Sequence, residues 1–395
     1  MNLRQQRIHV ALLSIAQGLL LINGVTMIAV SGLVGLVLAG DRQLATLPVT
    51  FAVIGTALTT LPAAFFMKHY GRRSGFMIGA LLGIGSALVC AYAVYSRQFW
   101  LLCAGTLLGG MYGAIGQQYR FAAADVADLS WRPRAISLTL AGGILGGVLG
   151  PEISKHTRGL LEPAFLASYL ALAAIGVLAL LIASRLHVPP LSHKAQHAPG
   201  RPLGQIMKQP AYLTALLAAA CGYGVMNLLM TATPLAMDIC SHPFASVAFI
   251  LEWHVIGMFA PSFVTGSLIK RFGLGPILVT GAVLMFTCIG IAVSGVSLMH
   301  FWWALTLLGI GWNFLFVGGT TLLTETCRPE ERAKAQGAND FVVFTIQGVT
   351  SLASGATISA AGWASLNLMA IPLVTLTLAA TLWWMGSGKG RRQTA

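Results

Sequence analysis

Charged residues make up only 9% of this 395-residue chain, 24 Lys+Arg and 11 Asp+Glu, against about 25% in an ordinary soluble domain. A water-soluble protein of this composition would turn a very large apolar surface to water, which excludes a soluble enzyme and a soluble nucleic-acid binder. Cysteine is sparse as well. Cys90, Cys103, Cys221, Cys240, Cys288 and Cys327 are scattered without a CxxC or a His/Cys cluster, so neither a disulfide framework nor a metal site is indicated. Most of them fall in apolar runs, as small core hydrophobes do. No GxxxxGK[ST] stretch is present, which removes a nucleotide-driven pump. The apolar runs do not alternate with period two, which excludes a β-barrel, and no segment is polar enough to be a separate soluble domain.

What the chain does have is 56% apolar residues and 45 glycines, with a mean hydropathy of +0.78. Glycine at that density suits membrane helices that pack closely. A hydrocarbon core of roughly 30 Å needs about 20 apolar residues per helix. Twelve runs meet that need, at about 9–38, 43–67, 75–95, 99–122, 134–154, 161–185, 211–236, 245–268, 274–296, 300–323, 339–360 and 364–385. The first follows Arg4 and Arg7 but is too long for the apolar region of a signal peptide, so it reads as an uncleaved helix. The expected fold is therefore all-α and integral to the membrane.

The net charge of +13 sits in short loops rather than on a nucleic-acid-binding face. Twelve spans put both termini on one side, and that side then carries all but four of the 24 basic residues, the exceptions being Arg42, Arg97, Lys155 and Arg158. This asymmetry predicts cytoplasmic termini. The longest polar gap, 187–210, contains Pro189-Pro190, Pro199-Gly200 and Pro202 and reads as a cytoplasmic linker. It separates an expected six-helix bundle over 1–186 from a second over 211–395.

The two halves repeat one another. Gln17-Gly18 with Asn23 matches Cys221-Gly222 with Asn227; Lys68-His69-Tyr70-Gly71 matches Lys270-Arg271-Phe272-Gly273; Leu107-Leu108-Gly109 matches Leu307-Leu308-Gly309; and Arg132-Pro133 matches Arg328-Pro329. The order is kept and the offset drifts only slightly around roughly 200 residues, as in transporters built from internal repeats. With its six-plus-six spans and central linker, the chain resembles the major facilitator superfamily over its whole length. The loop after the second span carries the resemblance. Where the family reads Gly-x-x-x-Asp-Arg-x-Gly-Arg-Arg/Lys, this chain has Ala64-Phe65-Phe66-Met67-Lys68-His69-Tyr70-Gly71-Arg72-Arg73, with Lys68 in the place of Asp. The second copy, Gly266-Ser267-Leu268-Ile269-Lys270-Arg271-Phe272-Gly273, restores the first glycine and again has lysine for aspartate. The resemblance implies that Gly71, Arg72, Arg73, Gly266, Lys270, Arg271 and Gly273 form gating loops. Arg72-Arg73 are placed to bind helix-end carbonyls, or acids such as Asp125 or Asp128, when the cytoplasmic side closes. In the fifth span, Gly146 and Gly150-Pro151 are similar to an element of drug/proton antiporters, or serve simply as a small-residue helix contact.

Ionisable groups at membrane depth are functional-site hypotheses by default. Glu252, His254 and Asp340 are the proton-coupling candidates. Glu252 is embedded in an apolar run, where desolvation would favour its neutral form. His254 lies two residues on, about 200° around the helix, so the two cannot both face one cavity. Asp340 follows the basic 328–334 stretch and reads equally as a helix-end acid. Arg120 either snorkels to the interface or holds an anionic substrate group. Asn23, Gln117, Tyr223, Asn227, Trp312, Asn313 and Gln347 complete the substrate-binding candidates, amides to hydrogen-bond and aromatic rings to stack. Trp302-Trp303 and Trp383-Trp384 read as interfacial belts.

The expectation is a secondary transporter, not an enzyme, without cofactor or metal. It would be a monomer in a bacterial inner membrane whose partners are lipid, protons and a small organic substrate, with no nucleic acid. Proton-coupled export is slightly favoured over proton-coupled uptake of a nutrient such as a vitamin or siderophore. A non-transporting receptor or a membrane enzyme is the reading from another class.

Overall fold

The computed structural model describes residues 2–39, 44, 47–189 and 200–387. The middle of the expected linker, including Lys194, and Arg42, Lys389, Arg391 and Arg392 lie outside the described residues. Among the described residues there is no strand, and twelve helices are long and apolar enough to cross a membrane. In order they are Leu3–Leu38, Leu47–Tyr70, Arg72–Tyr95, Phe99–Val126, Arg132–Thr157, Leu166–Arg185, Pro210–Ile239, Phe249–Phe272, Leu274–Ser294, Leu298–Thr326, Pro329–Ile358 and Ala360–Gly386.

The chain divides into two compact units, Met1–Val126 with Gly142–Ala198 and Ala127–Ala141 with Pro199–Ala395. In the first unit, apolar matching alone cannot bring helices together, because lipid is as apolar as leucine; close backbone approach and interhelical hydrogen bonds do so. The second and fourth spans meet in this way. A Cβ on Gly110 would strike the Ala52 carbonyl, and Thr56 Oγ1 donates to the Gly110 carbonyl at 3.0 Å. The first span is tied to Ile144–Thr157 by Thr26 Oγ1 donating to the Gly150 carbonyl at 3.0 Å. It meets the sixth span through the 2.8 Å contact of the Ser31 and Tyr169 hydroxyls.

In the second unit the seventh span is largely buried and packs on the tenth, eleventh and twelfth. The eighth packs on the tenth through paired glycines: a Cβ on Gly257 would lie 2.7 Å from the Thr306 carbonyl, and one on Gly309 2.6 Å from the His254 carbonyl. The short helix Arg132–Ala141 belongs to this unit and lies against Ser262–Phe272. Ser137 Oγ donates to the Ser262 carbonyl and accepts from the Gly266 N–H at 3.0 Å.

Several spans are less regular than their composition predicts. The fifth breaks between Arg132–Ala141 and Ile144–Thr157, at Gly142-Gly143, where Gly142 abuts the Ser14 carbonyl. The eighth breaks before Ser262, because Pro261 lacks an N–H to continue the ladder. The tryptophan pairs also divide. Trp303 and Trp383 are exposed and Trp384 is buried, while Trp302 packs edge-on against Trp253 at 5.3 Å, so only one ring of each pair suits an interfacial belt.

Candidate functional site

The turn after the second span is built by backbone conformation. Gly71 has φ 84°, a region costly for residues with a Cβ, and its N–H closes the helix by donating to the Met67 carbonyl at 3.0 Å. Arg72 then opens the third span. Its Nε donates to Asp125 Oδ2 at 2.7 Å and its Nη1 to Gln118 Oε1 at 3.2 Å; Arg73 is exposed. The second copy repeats the turn, with Gly273 at φ 85° and its N–H on the Ile269 carbonyl at 2.8 Å. The next residue there is Leu274, so the second turn has no counterpart of Arg72. Lys270 and Arg271 are exposed, and the Arg271 guanidinium lies 5.1 Å over the Phe272 ring. Gly266 serves another end: a Cβ there would meet the Pro133 carbonyl at 2.5 Å.

A stronger ionic contact stands elsewhere in the second unit and sequence reading missed it. Glu331 is fully buried. It takes Nε and Nη2 of Arg201 on its two oxygens at 2.7 and 2.6 Å, with the N–H groups of Arg201 and Arg328 at 2.9 and 3.0 Å. These hydrogen bonds hold the Arg201 guanidinium above its ordinary pKa. Lys334 Nζ donates to the Arg201 carbonyl. An acid beside Pro329 was visible in the sequence, but nothing in it pairs that acid with position 201.

In the first unit, Asn23 is buried and its Nδ2 has no hydrogen-bond partner among the described residues. Arg120 is 1% exposed; its Nη1 donates to Gln117 Oε1 at 3.2 Å and its guanidinium lies 4.7 Å over the Phe121 ring. A snorkelling arginine keeps its head in water, and this one does not.

In the second unit, Asn313 is consumed by packing. Its Nδ2 donates to the Met258 carbonyl at 2.6 Å and to Ser262 Oγ at 2.5 Å, and its Oδ1 accepts from Thr265 Oγ1 at 2.7 Å. Trp312 is buried, stacked on Phe316 at 4.9 Å and edge-on to Phe259 at 5.8 Å. Tyr223 meets Trp312 at 5.3 Å, Phe316 at 5.2 Å and Phe344 at 6.2 Å, each nearly perpendicular. Of these five rings only Tyr223 is half-exposed. Asn227 and Gln347 are half-buried, and Asn227 Nδ2 donates to the Gln347 carbonyl at 3.0 Å.

The ionisable candidates separate. Glu252 is exposed on the chain, inside the eighth span. His254 is fully buried with Nδ1 2.7 Å from the Leu305 carbonyl; a carbonyl only accepts, so Nδ1 carries the proton and ties the eighth span to the tenth. Asp340 is fully buried and accepts from Asn339 Nδ2 at 3.0 Å.

Comparison with known proteins adds family and fold. The Major Facilitator Superfamily model matches residues 12–342. The riboflavin transporter RfnT of Brucella anthropi is 41% identical over 375 residues, 94% of each chain. The uncharacterized MFS-type transporter YdeG of Bacillus subtilis is 27% identical over 377 residues, 91% of this chain and 87% of its own. Among solved structures, the transporter FucP in its outward conformation superposes with a TM-score of 0.76 at 16% identity, over 96% of this chain and 99% of that one. The human organic anion transporter MFSD10 does so with a TM-score of 0.77 at 13% identity, over 95% and 99%. With the repeated glycine turns and twelve spans, these matches make the chain a membrane transporter of the major facilitator superfamily.

Proposed function

We propose that this protein transports riboflavin, or a flavin of the same ring system, across the membrane by alternating access of its two halves. The observation that carries the reading is the 41% identity to a riboflavin transporter across 94% of both chains. The chemistry of the second unit supports it. A flavin is a flat, largely uncharged ring with polar edges and a polyol tail. Tyr223, Asn227 and Gln347 offer an accessible ring and two amides, without the paired cations that a phosphorylated substrate demands. The basic asymmetry of the loops favours cytoplasmic termini in a bacterial inner membrane. Proton coupling is part of the proposal, with Glu252 as the accessible carboxylate of the three candidate groups.

Purified protein reconstituted in liposomes tests the reading. Riboflavin should cross faster than in protein-free vesicles, and unlabelled riboflavin, but not a sugar, should compete. An imposed ΔpH should drive accumulation, and the side on which riboflavin accumulates relative to the acidic compartment gives uptake or export. Vesicles in which riboflavin moves no faster with protein than without it overturn the substrate. Transport indifferent to ΔpH removes proton coupling alone.

A further inference from the structure

Two rungs run between the seventh and eleventh spans. On one, the Tyr223 ring meets Phe344 at 6.2 Å. On the other, Asn227 Nδ2 donates to the Gln347 carbonyl at 3.0 Å. Tyr223 and Asn227 are four apart on one helix, and Phe344 and Gln347 three apart on the other, so each pair shares a helix face. The aromatic rung is fixed from behind: Trp312, Phe316 and Phe344 are buried while Tyr223 keeps accessible surface. The amide rung is only partly used. Among the described residues Asn227 makes the one hydrogen bond through Nδ2, which leaves Oδ1 as an acceptor, and the Gln347 side-chain amide makes none. An immobilised ring beside an acceptor and a donor-bearing amide is a site for a planar heterocycle with an imide edge.

Resting on the flavin reading above, we propose that Tyr223, Asn227 and Gln347 form the subsite for the flavin ring: Tyr223 stacks on the isoalloxazine, Asn227 Oδ1 accepts the ring N3–H, and the Gln347 amide donates to an adjacent ring carbonyl. A pyrimidinedione edge reads carbonyl, N–H, carbonyl, which is acceptor, donor, acceptor. Asn227 and Gln347 supply the complementary acceptor and donor at neighbouring positions. Two other candidates of this unit then take different parts. Trp312 backs the Tyr223 ring, and Asn313 is spent holding the eighth span to the tenth. Recognition then discriminates at N3, because a site built to hydrogen-bond a ring N–H rejects an analogue lacking it.

The test measures binding of riboflavin and of 3-methylriboflavin to the purified full chain by quenching of flavin fluorescence. Wild-type protein should bind the methylated ligand about tenfold more weakly than riboflavin, the loss of one hydrogen bond with its acceptor left unpaired. Asn227→Ala should weaken riboflavin to about the same extent and bind both ligands equally. Tyr223→Leu should weaken both ligands about tenfold and reduce the quench of bound flavin. Tyr223→Phe, which keeps the ring, should restore both, and it separates lost stacking from a damaged fold. An Asn227→Ala protein that still discriminates against the N3-methyl group overturns the subsite alone. So does a Tyr223→Leu protein that binds and quenches as wild type does. Wild-type protein that binds no flavin overturns the transport reading and the subsite with it.

Discussion

Each unit joins an arginine to an acid, and the two ion pairs are built differently. In the first, Arg72 donates to Asp125 and to Gln118, and the pair remains partly accessible, its side chains 12% and 15% exposed. In the second, Glu331 is fully buried, clasped through both oxygens by Arg201 and capped by two backbone N–H groups. Breaking the first pair releases two groups that can be hydrated; breaking the second strands a buried carboxylate. Each pair lies within one unit, and by burial the first is the easier to open and the second the costlier.

The sharpest way to break this comparison is Glu331→Ala. It leaves Arg201 without its carboxylate and two backbone N–H groups without an acceptor. The expected loss is about 3 kcal/mol, seen as a lower Tm of the detergent-solubilised protein and poor recovery. A Tm equal to that of the wild type removes the distinction between the two pairs. Next in size is Arg72→Ala, expected to cost about 1 kcal/mol of stability, since its pair is partly solvated, while lowering the maximal transport rate several-fold with little change in substrate affinity. An unchanged maximal rate in liposomes counts against a part in the transport cycle.

The two glycine turns sharpen the comparison from the other side, because they are alike where the ion pairs differ. Gly71 and Gly273 share a φ near 85°, and nothing lies within 4 Å of a Cβ placed on Gly71. Gly71→Ala is therefore a test of backbone strain alone, about 1 kcal/mol. Gly273→Ala should cost a similar amount, and the double variant the sum of the two, read from the same thermal melts. If one alanine is tolerated freely, the turns are not equivalent.

The turns show what the sequence made legible. A glycine three residues after a lysine, recurring 202 residues later, marks a backbone need that glycine meets, and the twelve apolar runs locate the spans because the bilayer fixes their length. Helix breaks were legible only in retrospect. Pro261 and Gly142-Gly143 stand where the eighth and fifth spans divide, yet membrane helices often absorb such residues. The site was less legible still, since an almost uniformly apolar helix has no polar stripe to say which face is which. The sequence showed that Glu252 and His254 point apart, but not that the histidine is the buried one. It could not separate Asn313, spent on packing, from Asn227, left with a free acceptor. Arg201 and Glu331 are 130 residues apart, and no local pattern joins them.

The smallest expected effect concerns the repeat-related amides Asn23 and Asn227. The second half uses its copy, since Asn227 Nδ2 donates to the Gln347 carbonyl. The first half leaves Asn23 buried with its Nδ2 unsatisfied, and a buried donor without a partner costs about 1–3 kcal/mol. Replacing it by an apolar residue of similar size removes that penalty along with the amide. Asn23→Leu should therefore leave the Tm unchanged or raise stability by about 1 kcal/mol, whereas Asn227→Leu should lower it slightly by losing a hydrogen bond. Transport of riboflavin, the proposed substrate, by Asn23→Leu, measured on the same preparation, should nevertheless fall, because an Nδ2 held at a cost in stability with no partner among the described residues is a donor left for the substrate. A lower Tm would give Asn23 a structural part that its geometry does not show. Full transport would leave Asn227 as the amide of the pair that the substrate uses.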